Sequence, residues 1–109
     1  MNVECTRFRV KQGKTEKVDE WIAFLEVLVT LEGEKMFVET IFREFLNDEE
    51  YLYWYSVQGS GGIEVEKSQH WIDKKYLEYW NECIDQTYKP VDLHTEVVMI
   101  PTNVRNSMN

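Results

Sequence analysis

From Met36 to Val57 the chain carries two aromatic and β-branched runs joined by Asn47-Asp48-Glu49-Glu50, with seven aromatic rings interleaved with Glu39, Arg43 and Glu44. This is the pattern of a β-hairpin, and it constrains the fold more than any other stretch. Side chains alternate between the two faces of a strand, so rings at both parities require both faces to be covered. Charged groups among those rings require that one of the two covers be polar enough to satisfy them.

The hairpin tip fixes which residues meet. With Asp48 and Glu49 as the turn, Asn47 faces Glu50, Leu46 faces Tyr51, Glu44 faces Tyr53, Phe42 faces Tyr55 and Thr40 faces Val57. One face then holds Tyr51, Tyr53, Tyr55, Phe42 and Glu44. The other holds Glu39, Ile41, Arg43, Phe45, Leu52, Trp54 and Ser56, with Arg43 opposite Trp54 and within reach of its indole. Asp-Glu suits a tight turn poorly because neither residue favours positive φ, but a longer loop keeps the same facing. Either face can be the one that meets helices.

Around the hairpin, Val3 to Lys11 reads as a strand and Gly13 as the turn after it. From Lys14 onward, Val18, Trp21, Ile22, Leu25, Leu28 and Val29 recur at steps of three and four, opposite Glu16, Asp19, Glu20 and Glu26. That is an amphipathic helix with acids at the positive end of its dipole, and Gly33 is placed to end it. Phe24, Val27 and Leu31 widen its apolar stripe and call for a further packing partner. Gly59, Ser60, Gly61 and Gly62 form a connection without the Lys-Ser/Thr ending of a phosphate loop or the spacing of a dinucleotide fold. Ser68 caps a second helix running to about Tyr88, whose stripe of Ile72, Tyr76, Tyr79, Trp80, Cys83, Ile84 and Thr87 is core material. Pro90 stops it. His94 to Ile100 reads as a last strand buried on both sides, ended by Pro101.

The order β-α-β-β-α-β is that of the ferredoxin-like fold, an α+β architecture with one antiparallel sheet and both helices on one face. Residues 1–101 make a single domain and 102–109 a flexible C-terminal tail. The sheet's other face would expose large aromatic or aliphatic groups in either facing, more than a monomer usually leaves open. A homodimer through that face is the expected remedy.

A chain of 109 residues with a formal charge of −8 and a pI near 4.7 repels phosphate backbones and anionic lipid, so neither nucleic acid nor a membrane is an expected partner. No signal-peptide pattern or stretch of transmembrane length is present. Cys5 and Cys83 lack metal or redox spacing and read as reduced core thiols of a cytoplasmic protein, with a single disulfide as the alternative.

The opening Arg7-Phe8-Arg9-Val10-Lys11-Gln12-Gly13-Lys14, the helix bearing Trp21, the segment Phe37-Val38-Glu39-Thr40-Ile41-Phe42-Arg43-Glu44, and His70 ahead of Tyr79-Trp80 resemble a small bacterial family of unknown function. That family lies within the dimeric α+β barrel superfamily, which also includes antibiotic-biosynthesis and haem-degrading monooxygenases, stress-responsive barrel proteins and rhamnose mutarotases. The resemblance covers residues 3–101. It implies a homodimer whose sheets form a barrel with a lumen in each protomer.

The candidate site residues follow from the hairpin. Glu44 beside Tyr53, with Tyr51 and Tyr55 near, makes a polar aromatic pocket for a small planar or hydroxylated ligand, and a carboxylate buried there would suit proton transfer. The plainer alternative is that Glu44 accepts a tyrosine hydroxyl or pairs with a base at the dimer seam. Glu39 and Arg43, two steps apart on the other face with Trp54, form either an ion pair or an Arg kept for a ligand carboxylate. His70 emerges from the glycine-bearing loop and could move protons, though an imidazolium is disfavoured at a helix start; a surface role is the alternative, as it is for His94. No metal spacing and no nucleophile with a base are found, and no cofactor is expected; haem on His70 would follow from the resemblance alone. The expected function is small-molecule binding in a lumen lined by the hairpin, catalytic residues being Glu44 and His70 if there is chemistry and ligand contacts coming from Glu39, Arg43, Tyr53, Trp54 and Tyr55. The alternative is a cofactor-independent monooxygenase or isomerase.

Overall fold

The computed structural model describes residues 2–32, 36–58 and 71–107. In chain order these form β1 (Asn2–Arg9), α1 (Thr15–Glu32), β2 (Met36–Leu46), β3 (Glu49–Gln58), α2 (Trp71–Cys83), β4 (Val91–Asp92) and α3 (Thr102–Asn106). The strands make one sheet in the order β2-β3-β1-β4, with every neighbouring pair antiparallel. This is the α+β, ferredoxin-like arrangement expected from the element order.

Asn47 and Asp48, not Asp48 and Glu49, turn the hairpin. Both have positive φ, 51° and 64°, the backbone of a type I′ turn. Asn and Asp are the non-glycine residues that best tolerate this conformation, whereas a Glu at the second position would not. The register therefore slips by two residues: Leu46 pairs with Glu49, Glu44 with Tyr51, Phe42 with Tyr53, Thr40 with Tyr55, and Ile41, not Arg43, with Trp54. A slip of two leaves every side chain on its face, so the grouping of the hairpin residues is unchanged.

The helices cover the face of Ile41, Leu52 and Trp54. Val10, Val18, Trp21, Leu52, Tyr79, Cys83 and Ile84 are buried there, ringed by Phe8, Ile22, Phe24, Leu25, Ile41, Trp54, Tyr76 and Trp80. Trp21 is the hub: it lies 5.5 Å from Trp54, 5.7 Å from Trp80 and 5.9 Å from Tyr76, ring centre to ring centre. The extra apolar flank of α1 is explained in part, because Phe24 meets Tyr79 of α2 at 5.5 Å. Gly13, at φ 78°, makes the turn from β1 into α1.

Three elements differ from expectation. α2 ends at Cys83 because the chain leaves the helix to pair with the end of β1: Lys11 N–H donates to the Cys83 carbonyl, Asp85 N–H to that of Arg9, and Ile84 bridges Val10. The Asp85 carboxylate then accepts from both the backbone N–H and the hydroxyl of Thr87, closing a turn that presents Tyr88. The last strand is also displaced. β4 is only Val91–Asp92, opposite Arg7 and Thr6, and residues 93–100 continue beside β1 without joining its ladder. Leu93 N–H donates to the Cys5 carbonyl and the Thr95 hydroxyl to that of Val3. Val98 and Ile100 are half-buried, whereas Val97 and Met99 stand exposed, so this run is covered on one side rather than two. Residues 102–106, read from the sequence as part of a polar tail, form the short helix α3.

Candidate functional site

The face away from the helices is built of cross-strand rows. Antiparallel pairing aligns Arg9, Tyr51 and Glu44 in one row, Arg7, Tyr53 and Phe42 in the next, then Cys5, Tyr55 and Thr40, then Val3, Val57 and Val38. Polarity thus falls steadily along the strands, from charged at the hairpin tip to aliphatic at the far end. Neighbours on diagonal positions are also within reach.

In the charged rows the side chains are locked together. Tyr53 donates its hydroxyl to Glu44 at 2.7 Å and lies against the Arg7 guanidinium, whose Nε–H donates to the Tyr88 hydroxyl at 2.9 Å. Glu44 raises the Tyr53 phenol pKa and Arg7 opposes that shift. The two phenols, Tyr53 first, raise the pKa of Arg7. Arg7 also sits 5.4 Å from the ring centre of Tyr51 and 6.0 Å from that of Tyr88, and those two rings meet edge-on at 5.8 Å. Arg9 is held otherwise: it donates from Nε and a terminal nitrogen to Asp85, lies 3.9 Å from Glu49 and faces Tyr88 at 4.8 Å. The Thr87 hydrogen bonds, then Arg9, lower the Asp85 carboxyl from 3.8 to about 2.

Glu44, Tyr53 and Tyr55 therefore share the uncovered face. Glu44 is exposed. Glu39, Arg43 and Trp54 lie on the helix side and do not join them. The Trp54 indole N–H donates to Glu39. Arg43 donates to Glu50 and Asp19, both at 2.6 Å, and to the Thr15 carbonyl at 2.9 Å. Glu50, only 6% exposed, also accepts from the Thr15 hydroxyl. Burial works against the Arg43 charge, and Asp19 and Glu50 more than restore it. No Glu39–Arg43 pair forms, and Arg43 faces Phe45 at 5.5 Å instead of stacking on Trp54. This network fastens the start of α1 to the hairpin. His70 and the glycine loop lie outside the described residues; His94 is exposed beside Glu96. Both cysteines are free, and Cys5 is on the uncovered face rather than in the core.

Residues 93–100 close one side of a cleft of about 330 Å³ whose floor is Val3, Cys5 and Tyr55. It opens one row away from Arg7 and Tyr53. A smaller groove of about 210 Å³ lies on the helix side between Ile22, Leu25, Glu39 and Trp54.

A family model matches residues 1–106. The chain belongs to DUF6176, a family of unknown function. Among curated protein sequences none matches this DUF6176 chain. Among solved structures, an L-rhamnose mutarotase from Formosa agariphila superposes with a TM-score of 0.56 over 93% of this chain and 99% of its own, at 14% identity. At that identity the likeness speaks for the ferredoxin-like fold of the DUF6176 chain, matching the strand order above.

Arg7, Arg9, Asp85 and Tyr88 entered the site without having been read as site residues. Arg7 and Arg9 had a signal, since they alternate with Phe8 and Val10 along β1 and so point away from the core. A helix read through to Tyr88 hides that ring, whereas Asp85 with Thr87 two residues on is the turn signature that ends α2 early. Among the described residues no group of His, Cys, Asp or Glu could hold a metal ion, and no helix is long and apolar enough to cross a membrane.

Proposed function

We propose that this protein is a homodimer that binds a small molecule on the uncovered sheet face, in a chamber closed by a second copy. The hydrogen-bonded run Glu44–Tyr53–Arg7–Tyr88 carries this reading. It holds four polar side chains in fixed register on a surface where packing does not require them, the preorganisation that a binding site needs and a solvated surface does not. The apolar surroundings argue for the second copy. Val38 (44% exposed), Phe42 (57%) and Leu46 (50%) line the free edge of the same face at β2. Leu93, Val97 and Met99 stand out beyond the other edge. Two patches at opposite borders of one face suit a two-fold axis, which sets each patch against a partner. Two free thiols suit a reducing compartment, the cytoplasm.

Sedimentation and a thermal-shift screen against a metabolite library test the two halves of the proposal. At micromolar concentration the mass should be that of two chains. At least one compound should raise the melting temperature in a dose-dependent way, and Glu44→Gln and Tyr53→Phe, made separately, should each reduce that rise. A monomer, or a library in which nothing stabilises the protein, overturns it.

One observation favours chemistry as a second reading. Tyr53 and Glu44 are an acid and a base already sharing a proton, the two groups that an isomerase needs to open a sugar ring by protonating the ring oxygen and deprotonating the anomeric hydroxyl. Anomer exchange followed by NMR, in wild type and Tyr53→Phe, decides it: exchange no faster than in buffer removes this reading.

A further inference from the structure

Building on the binding reading above, we infer that the ligand is a small hydroxylated carboxylate, and that Arg7 takes its carboxylate. Among the described residues four cations are neutralised by ion pairs. Arg9 is paired with Asp85 and Glu49, Arg43 with Asp19 and Glu50, Lys14 with Glu82, and Lys17 with Glu20 and Glu82. Arg7 has no ion pair among the described residues; nor have Lys11, Lys74, Lys75, Lys89 and Arg105, but of these six Arg7 alone lies in a strand of the sheet. Its partners are the neutral hydroxyls of Tyr53 and Tyr88 and the faces of Tyr51 and Tyr88.

That arrangement fixes the guanidinium in place without neutralising it. A guanidinium has more N–H donors than two phenols can use, and its terminal nitrogens match a carboxylate edge. Half-burial of Arg7 among rings, in a chain of net charge −8, keeps a cation that no neighbour discharges. The surplus favours one anionic group over two: Glu44, Glu49 and Asp85 border the same face, so the double charge of a phosphate would be under-compensated and repelled. The remainder of the ligand meets Tyr55 and Thr40 in the next row and the cleft of about 330 Å³ beyond it. Phenol and threonine hydroxyls beside an aromatic floor suit hydroxyl-bearing carbon, as in a sugar acid.

The test is isothermal titration of the wild-type protein at low salt with glucuronate, galacturonate and gluconate against the neutral parents glucose and galactose. At least one acid should bind tighter than its parent by about tenfold or more, the difference that one charge-assisted contact supplies. Arg7→Gln should erase that difference, and Arg7→Lys should keep part of it because the charge remains while the planar edge is lost. Both variants should keep the wild-type mass and far-UV spectrum. Neutral parents binding as tightly as the acids would overturn the inference while leaving the chamber intact. The same holds if none of the acids binds while a neutral compound stabilises the protein. If Arg7→Gln halves the mass and none of the acids binds the wild type, Arg7 belongs to the subunit seam, and the inference fails.

Discussion

The two faces of β2 and β3 carry the same kinds of residue in different states. On the helix side, Glu39, Arg43 and Glu50 spend their valence inside the protomer, on Trp54, Asp19 and the start of α1. On the other side, Glu44 and Arg7 are held by Tyr53 and Tyr88, and Phe42 and Leu46 beside them remain about half exposed or more. A charge among hairpin rings therefore has two meanings in one protein. Where a helix covers it, it is a fastener; on the other face it is held by tyrosine hydroxyls and stays at least partly open to solvent.

The sharpest contrast is in stability. Trp21, 1% exposed and touching Trp54, Tyr76, Tyr79 and Trp80, anchors the covered face. Trp21→Ala should cost about 4 kcal/mol in urea unfolding, a large part of a small domain's margin. A cost comparable to that of truncating an exposed ring would mean that the helices do not seal this side. Next comes Arg43→Met, which strands the buried Glu50 carboxylate and should cost about 3 kcal/mol. Adding Glu50→Gln to it should recover part of that loss, since the stranded charge is then gone. If ligand binding falls while stability holds, the network is not the fastener described here.

Much of this contrast was legible in the sequence, for a physical reason. Period two assigns each hairpin residue to a face whichever turn is chosen, so Glu44 with the tyrosines and Arg43 with Trp54 were separable from the outset. The partner across the strand depends on the turn itself, and preferring Asp48-Glu49 over Asn47-Asp48 displaced every pair by two. Apolar alternation in 94–100 implies a cover on both sides, whereas among the described residues Val98 and Ile100 are half-buried and Val97 and Met99 stand exposed. Arg43 could not be read correctly, because its partners Asp19 and Glu50 come from a helix and from a strand end that meet only in the fold.

A smaller effect on the protomer, but a qualitative one on the assembly, is expected from Phe42→Glu. At 57% exposure this ring gives little to the isolated fold, so the unfolding free energy of the protomer should stay within about 0.5 kcal/mol of its wild-type equivalent. A charge on a face that meets its own symmetry mate is introduced twice across one seam, and sedimentation should show the mass of one chain. A variant that remains dimeric would place the interface elsewhere and leave the open face without its proposed cover.

The smallest effect joins the two faces through the loop after α2. The Asp85 carboxyl titrates at about 2 in the fold against 3.8 when free, so the folded state prefers it ionised. Its contribution is complete above 3.8 and fades as pH falls through about 2, and Asp85→Asn should flatten the acid limb of stability in that window. What the carboxylate fastens is the turn bearing Tyr88, through Thr87 and Arg9, rather than the tryptophan cluster. Acid should therefore release Tyr88 from Arg7 and Arg9 before the core opens. Tyrosine absorbance should move at a higher pH than tryptophan fluorescence, and the gap should close in Asp85→Asn. Coincident transitions in the wild type would mean that the open face is as firmly tied to the core as the covered one.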